Sequence, residues 1–520
     1  MRFKIVVLFF LSILMIQCTK KLPSPSTNVS NVDKSLLPKR EMRGVWIATI
    51  ENIDWPSAKG LSSDKQQQEF SEMLDFQSQL GLNAVFVQVR PASDAFYARS
   101  LEPWSEWLTG TQGIAPEPYY DPMRFMIEEA HSRNMEFHAW FNLNRGQYRN
   151  AKSIDPNHIT IKHPEWFIAY DGHKIYNFGL PQVREYITQL IVNVVRHYDI
   201  DGIHFDDYFY PYPVAGQVLD DNESFKTYNR GISDLGDWRR DNVNILVKQI
   251  SDAINSEKKW VKFGISPFGI WRNKSVDPQG SPTQGGQSYD ELFADTRKWA
   301  KEGWIDYIAP QIYFAFEHPK VPFQPLLDWW AGTSVKCNLF VGHAIYKAGA
   351  DSKDAGWSDP RQIPKQIAAV RNVEEVSGSI FYSANWLKKN KLSISDSIKT
   401  AYQYPSLQPL VAWKDDVPPL KPIDVKLTFN KDGKPAISWN VTQENSSENE
   451  AKSFVIYRFD YGKTTNYKDP KNILKIFRNF GELRFTDEKA VSGKTYHYAI
   501  TALDRVQNES EPSEMIQVRL

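Results

Sequence analysis

The chain has 520 residues, with 62 Lys+Arg balanced by 62 Asp+Glu. This length calls for a large domain plus a smaller one, and the balanced charge offers nothing to hold the protein on nucleic acid or an anionic surface. Aromatic residues are abundant, with 17 Trp, 24 Tyr and 29 Phe, enough for a core and for a carbohydrate-stacking cleft as well.

Arg2 and Lys4 precede the apolar run Ile5–Ile16, which has signal-peptide length and is short for a membrane span. The run ends Leu14-Met15-Ile16-Gln17-Cys18, similar to a bacterial lipoprotein signal in which the Cys becomes the lipidated first residue. Met15 and Gln17 depart from the usual pattern, and a plain secretory signal is the alternative. Residues 1–18 are expected to be the signal peptide. Residues 19–40, rich in Ser, Pro, Asn and Lys, are expected to be a flexible tether. Cys18 and Cys337 are the two cysteines. With Cys18 lipidated no internal disulfide forms, and the fold relies on its core.

From Arg43 onward strand-like and helix-like patterns alternate. Gly44–Ile50 is predicted as the first strand and Asp64–Leu80 as the first helix. Ala84–Arg90 with Asp121–Asn134, Glu136–Asn142 with Pro181–His197, and Gly202–Asp207 with Leu235–Asn255 follow. The series continues through Lys262–Phe268 with Tyr289–Glu302, Ile305–Tyr313 with Gln324–Thr333, Asn338–Tyr346 with Pro360–Val373, and Gly378–Asn385 with Ile394–Tyr402. Eight such units in residues 41–403 predict an α/β fold, a (β/α)8 TIM barrel with enlarged loops. A doubly wound sheet would need a Gly-rich phosphate loop after its first strand, and Thr49–Trp55 (TIENIDW) is not one.

Residues 404–421 contain Pro405, Pro409, Pro418 and Pro419 and read as a linker. Residues 422–520 change to short strand-like runs between turn residues. Ala436–Asn440 (AISWN), Ser453–Asp460 (SFVIYRFD) and Thr495–Ser510 (TYHYAITALDRVQNES) resemble a fibronectin type III domain, an all-β immunoglobulin-like sandwich. Trp439 stands at that family's core Trp position. Such domains are spacers or docking modules, so no chemistry is expected there.

A barrel builds its site from the C-terminal ends of its strands. Asp201–Pro211 (DGIHFDDYFYP) ends a strand on two carboxylates, followed by an aromatic, proline-stiffened loop. Alternation puts His204, Asp206 and Tyr208 on one face and Ile203 and Phe205 on the other. Carboxylates ringed by aromatics suit a glycosidase, and a Ca²⁺ site or a loop-capping Asp pair is the competing reading. Asp206 is the first choice for acid or nucleophile. Asp207 is read as a positioning partner whose charge shifts the pKa of Asp206. Glu317, in the aromatic loop after the sixth strand, is the best placed second carboxyl, ahead of Glu51 and Glu102. Retaining and inverting mechanisms both stay open.

The other strand ends offer Arg90, Asn142 and Asn144, then His204 and Tyr208, Trp271, Gln311 and Tyr313, His343, and Asn385 and Trp386 as substrate-binding candidates. Together with Glu51, Asp54, Gln88 and Tyr346 they form a polar ring suited to a polyhydroxylated ligand. Stacking faces are sought in Trp55, Trp104, Trp107, Tyr208, Tyr210, Trp271, Phe314 and Trp386, whereas Trp238, Trp299 and Trp330 fall in predicted helices and pack. His138, His204 and His343 raise a metal reading. However, no His-x-His pair follows the first strand, and HExxH, Cys-cluster and EF-hand motifs are missing. No metal or cofactor is expected; a buried His bonded to a carboxylate suffices.

The motifs MRGVWIATIENIDWPS (Met42–Ser57), LGLNAVFVQVRPASDAFY (Leu80–Tyr97), HAWFNLNR (His138–Arg145), DGIHFDDYFYP, GISPFGIWRN (Gly264–Asn273) and APQIYF (Ala309–Phe314) resemble the bacterial glycosyl-hydrolase-10-like family over about residues 41–400. The resemblance implies a (β/α)8 barrel, often lipid-anchored, with carboxylate catalysis at Asp206 and Asp207. It implies a cell-envelope glycosidase, on the outer membrane facing the periplasm, that cleaves peptidoglycan glycan strands stripped of stem peptides. Polysaccharide is then the expected partner, the N-terminal lipid the expected membrane contact, and a monomer the expected state. DGIHFDDY also resembles the chitinase-type DGxDxDxE motif, but Tyr208 stands where that motif has its Glu, so chemistry through a substrate N-acetyl group lacks its acid. A non-catalytic carbohydrate-binding lipoprotein, with the sandwich as docking arm, is the alternative function.

Overall fold

The computed structural model describes residues 37–333, 335–349, 354–442 and 449–520. Cys18, the signal segment and all but the end of the tether lie outside the described residues. Eight parallel strands close a barrel in chain order. They are β1 Met42–Ile47, β2 Ala84–Arg90, β3 Glu136–Phe141, β4 Gly202–Phe205, β5 Lys262–Ile265, β6 Tyr307–Ile308, β7 Asn338–His343 and β8 Val376–Phe381. Closure runs in register from Met42↔Gly378 to Val45↔Phe381. All eight fall within or against the expected segments. β6 is cut to two residues because Pro310 has no N–H for the ladder, and single bridges from Gln311 to Phe268 and Gly342 continue it. The expected helix Tyr289–Glu302 is split into Ser288–Glu291 and Thr296–Glu302, the second capped by Asp295.

Alternation sorts each strand. Val45, Ile47, Val85, Val87, Ile203 and Ile265 face the helices, while Trp46, Phe86, Trp140, Tyr307, Phe340 and Ile380 fill the interior. Two inward glycines make that filling possible. A Cβ on Gly202 would lie 2.3 Å from the His138 ring, and one on Gly264 would lie 2.1 Å from the Tyr307 ring. A polar ladder threads the same interior: Lys262 bonds Glu136, Glu136 bonds His138, and the Tyr307 hydroxyl lies 3.0 Å from both His138 Nδ1 and His204 Nδ1. Each member finds a partner, as burial requires.

The segment after β3 holds an element that the sequence does not signal. Arg145–Gln147, His173–Tyr176 and Phe167–Tyr170 pair as a small antiparallel sheet beside the barrel mouth.

The C-terminal residues form the expected sandwich, with Ile423–Phe429, Pro435–Asn440 and Arg484–Thr486 in one sheet and Ile473–Arg478, Ser453–Asp460, Thr495–Leu503 and Ile516–Arg519 in the other. Trp439, Phe454 and Tyr498 lie in its core. The linker packs against both the sandwich and the barrel. Leu407 is buried in a cluster with Val455, Tyr457 and Leu503, and Asp306 takes Trp413 Nε1 at 2.8 Å and Lys414 Nζ at 3.1 Å. The sandwich rests on the N-terminal end of the barrel, where Arg478 reaches Asp201 at 3.2 Å and Arg505 reaches Asp199 at 2.7 Å. Residues 38–520 are accordingly one compact unit, with the sandwich on the face away from the barrel mouth.

Candidate active site

A cavity of about 470 Å³ opens at the C-terminal ends of the strands. Strand ends contribute Trp46, Gln88, Trp140, Asp206, Asp207, Ser266 and Gln311 to its lining. Loops contribute Glu51, Arg145, Tyr148, Tyr208, Tyr212, Tyr313, Phe314, Tyr346 and Tyr382, among others. Aromatic faces interleaved with few, fixed polar groups are the usual lining of a sugar-binding pocket.

Two carboxylates stand together in it. The ladder of β4 stops at Phe205, so Asp206 and Asp207 both reach the cavity instead of diverging to opposite faces. Asp206 is only 7% exposed. Its Oδ2 accepts from Trp140 Nε1 at 3.2 Å and Asn142 Nδ2 at 3.0 Å, and its Oδ1 accepts from the Tyr208 N–H at 3.2 Å. Asp207 accepts from Gln311 Nε2 at 3.0 Å and from the Tyr212 hydroxyl. Burial pushes the Asp206 carboxyl up to about 6; the Asp207 charge adds to the rise and Arg145 opposes it. Burial raises Asp207 too, against the donors Tyr212 and Gln311. A desolvated carboxyl beside a like charge keeps its proton close to neutrality, the property required of a general acid.

The third carboxylate in the cavity is Glu51, in the turn after β1 with φ 51°. Gln88 shapes that turn, its Oε1 accepting from the N–H groups of Thr49 at 3.1 Å and Ile50 at 3.0 Å. Tyr148 donates to Glu51 Oε2 at 3.1 Å and Asn150 to Oε1 at 2.6 Å. Glu317, the expected partner acid, is exposed and outside the cavity. Ala315 packs beneath the helices and Phe316 packs on Phe323 at 5.0 Å, which carries Glu317 out to solvent.

Nine of the expected residues line the cavity: Glu51, Gln88, Asp206, Asp207, Tyr208, Gln311, Tyr313, Phe314 and Tyr346. Asn142 and His204 lie behind it. Asn142 orients Asp206. His204 is fully buried and bonds Trp46 Nε1 and Ser266 Oγ, both at 3.0 Å, so it supports two lining residues instead of touching a ligand. Burial and the His138 charge hold its imidazole well below the ordinary value, hence neutral.

The remaining candidates are placed elsewhere. Arg90 follows a bulge in β2 and is spent on Glu102, at 2.6 and 2.7 Å. Asn144 donates to the Phe209 carbonyl at 3.0 Å and Asn385 to that of Ile53 at 3.1 Å, both tying loops together. Trp271 donates to Asp295 at 3.2 Å and stacks on Trp329. Trp386 lies on the helix Ala384–Lys389 under the Lys389 ammonium, 4.0 Å from its ring centroid. His343 shares the outward parity of Leu339 and Val341 and bonds Gln366 and Ser379, each at 2.9 Å. Among the described residues, no group of three or more His, Cys, Asp or Glu could hold a metal ion.

Trp46, Trp140 and Tyr382 line the cavity without having been expected there. Inward parity with Gly44, His138 and Ile380 is the signal that finds them. Arg145 and Tyr148 have no such signal, because the small sheet that places them is set by tertiary pairing.

A family model described as glycosyl hydrolase-like 10 matches residues 41–359. The glycosyl hydrolase YngK of Bacillus subtilis (strain 168) is 44% identical over 484 residues, 91% of this chain and 93% of its own. The glycosyl hydrolase DigH of Escherichia coli (strain K12) is 38% identical over 371 residues, 67% of this chain and 84% of its own. Among solved structures, the glycoside hydrolase domain of PgaB (BpsB) from Bordetella bronchiseptica aligns with 71% of this chain and 100% of its own, at 9% identity and a TM-score of 0.45. With the family model covering most of the barrel and a relative matching nearly the whole chain, this protein belongs to the glycosyl hydrolase-like 10 family.

Proposed function

We propose that the protein hydrolyses O-glycosidic bonds in bacterial cell-wall glycan, with the cavity at the barrel mouth as its active site. The observation that carries this reading is the buried Asp206–Asp207 pair, held by Trp140, Asn142, Tyr212 and Gln311 in an aromatic cavity. Asp206 acts as the proton donor to the leaving sugar oxygen. Asp207 supplies the neighbouring charge that keeps that proton in place. Glu51, open to solvent on the loop after β1, is the second carboxylate, acting on the sugar carbon directly or through water. Tyr208, Tyr313 and Phe314 offer faces for sugar rings.

Peptidoglycan glycan freed of stem peptides is the substrate to test first, with intact sacculi and chitin as comparisons. Release of new reducing ends by the wild type, lost in Asp206→Asn and Glu51→Gln, supports the reading. Wild-type protein that binds these glycans and releases no ends overturns it. The lipoprotein-like segment before Cys18 supports anchorage in the cell envelope. Cys18→Ser should then release the protein from the membrane fraction or stall its processing; unchanged membrane association speaks against a lipid at this residue.

A further inference from the structure

Arg145 is the one basic side chain among the described residues lining the cavity. It opens the small sheet beside the barrel mouth, in register with Ile175, and its backbone N–H donates to Asn142 Oδ1 at 3.1 Å. The same Asn142 donates to Asp206, so one asparagine sets the position of both the cation and the carboxyl. The guanidinium carbon lies 4.6 Å from the centroid of the Tyr208 ring and 5.4 Å from that of Tyr148, and both rings line the cavity.

Among the described residues, what Arg145 lacks is a carboxylate partner. Among the described residues no ion pair forms on it, although Asp206, Asp207 and Glu51 share its cavity. Arg90 shows the contrast: its guanidinium donates to both oxygens of Glu102, at 2.6 and 2.7 Å, and to the Asn142 carbonyl at 2.6 Å. An arginine placed only to neutralise the aspartates would be expected to close on one of them. Arg145 is instead flanked by two aromatic rings, one of which, Tyr208, also shares a side-chain hydrogen bond with it; they restrain its side chain before any ligand arrives, and among the described residues no carboxylate closes its fork of N–H donors. A planar anion that accepts two parallel hydrogen bonds is the ligand such a fork recognises best.

We infer that Arg145 binds a carboxylate carried by a sugar unit in the cavity, so that the site selects anionic glycan over neutral glycan. This rests on the glycosidase reading and names the substrate feature it requires. Two kinds of sugar present that chemistry: one with a lactyl ether carboxylate, as on muramic acid freed of peptide, and a uronic acid.

The test uses the full chain. Binding is measured by titration calorimetry on Asp206→Asn, with four probes: peptide-free peptidoglycan fragments, the same fragments with the carboxyl reduced to the alcohol, uronic-acid oligosaccharides, and chitin oligosaccharides of equal length. The native fragments or the uronic-acid oligosaccharides should bind at least tenfold tighter than the neutral probes, and whichever set shows the preference identifies the carboxylate's source. Adding Arg145→Gln should erase that preference while leaving affinity for neutral probes within about twofold. Equal affinity for native and carboxyl-reduced fragments, with no gain for the uronic-acid set, overturns the inference; that comparison needs no Arg145 variant. Equal weakening of all probes by Arg145→Gln also overturns it. In the wild type, a turnover defect of Arg145→Gln that is the same on native and reduced fragments, with an altered pH profile, would mean that Arg145 acts through Asp206. The glycosidase reading fails separately, if the wild type cleaves none of the probes even though carboxylate-dependent binding persists.

Discussion

Replacing Asp206 by Asn tests the site through stability as well as rate. The interval between the ordinary value of 3.8 and the buried value of about 6, at about 1.36 kcal/mol per pH unit, is worth on the order of 3 kcal/mol. The sign follows from where the proton sits. Well below 3.8 the group is protonated in both folded and unfolded chains, and its charge costs nothing. Above about 6 it is ionised in both, and only the folded chain bears the desolvation cost, so this contribution falls as pH rises through that window. Asn removes the charge at every pH. It keeps one carbonyl oxygen for Trp140 Nε1 and Asn142 Nδ2 but turns an NH₂ toward the Tyr208 N–H, losing a hydrogen bond worth about 1 kcal/mol. The net expectation at pH 7.5 is a gain of about 2 kcal/mol, shrinking to about zero at pH 4.5, where the charge cost is itself only about 1 kcal/mol. Turnover should fall by about a hundredfold or more. Urea unfolding of both proteins across this pH range measures the first effect, and reducing-end release the second. A variant no more stable than wild type at pH 7.5, or a stability difference that does not vary with pH, refutes the picture of a buried carboxyl with a raised pKa.

Four other outcomes are expected. With Asp206 as proton donor, kcat/KM should decline as pH rises through about 6, and a profile rising through that value would exchange the roles of Asp206 and Glu51. Glu51→Gln should cost at least about a hundredfold in rate, whereas Glu317→Gln, outside the cavity, should stay within about twofold of wild type in the same assay. Arg478→Ala should lower unfolding stability by about 1.5–3 kcal/mol, because Asp201 is buried, and should leave kcat/KM unchanged, because the contact lies at the other end of the barrel. A chain ending at Ser406 should be markedly less stable than the full protein, since it strips Asp201 of Arg478 and Asp306 of Trp413 and Lys414; unaltered stability would show the sandwich to be an independent appendage.

The eight barrel strands and the sandwich were legible because both rest on local patterns: runs of Val, Ile and Phe between turn residues, and alternation along each strand. The same alternation would have corrected His343, which shares the parity of Leu339 and Val341, and would have found Trp46 and Tyr382. Asp206, Asp207 and Gln311 were found from strand ends alone. Glu317 was misplaced because its position depends on where Ala315 and Phe316 pack, a contact with the helical layer that no local pattern encodes. Arg90 was misplaced because a bulge in β2 and the partner Glu102 decide where its charge is spent. By itself, then, the sequence determined the barrel, the sandwich and the carboxylate pair at the end of β4, since strand periodicity and strand order are properties of neighbouring residues. Only the tertiary structure decided which other groups share the cavity with that pair, that Glu51 and not Glu317 is among them, that Arg145 stands there without a carboxylate partner among the described residues, and that the sandwich closes the opposite end. Each of these depends on long-range packing, in which loops far apart in the chain compete for the same space and the same hydrogen-bond partners.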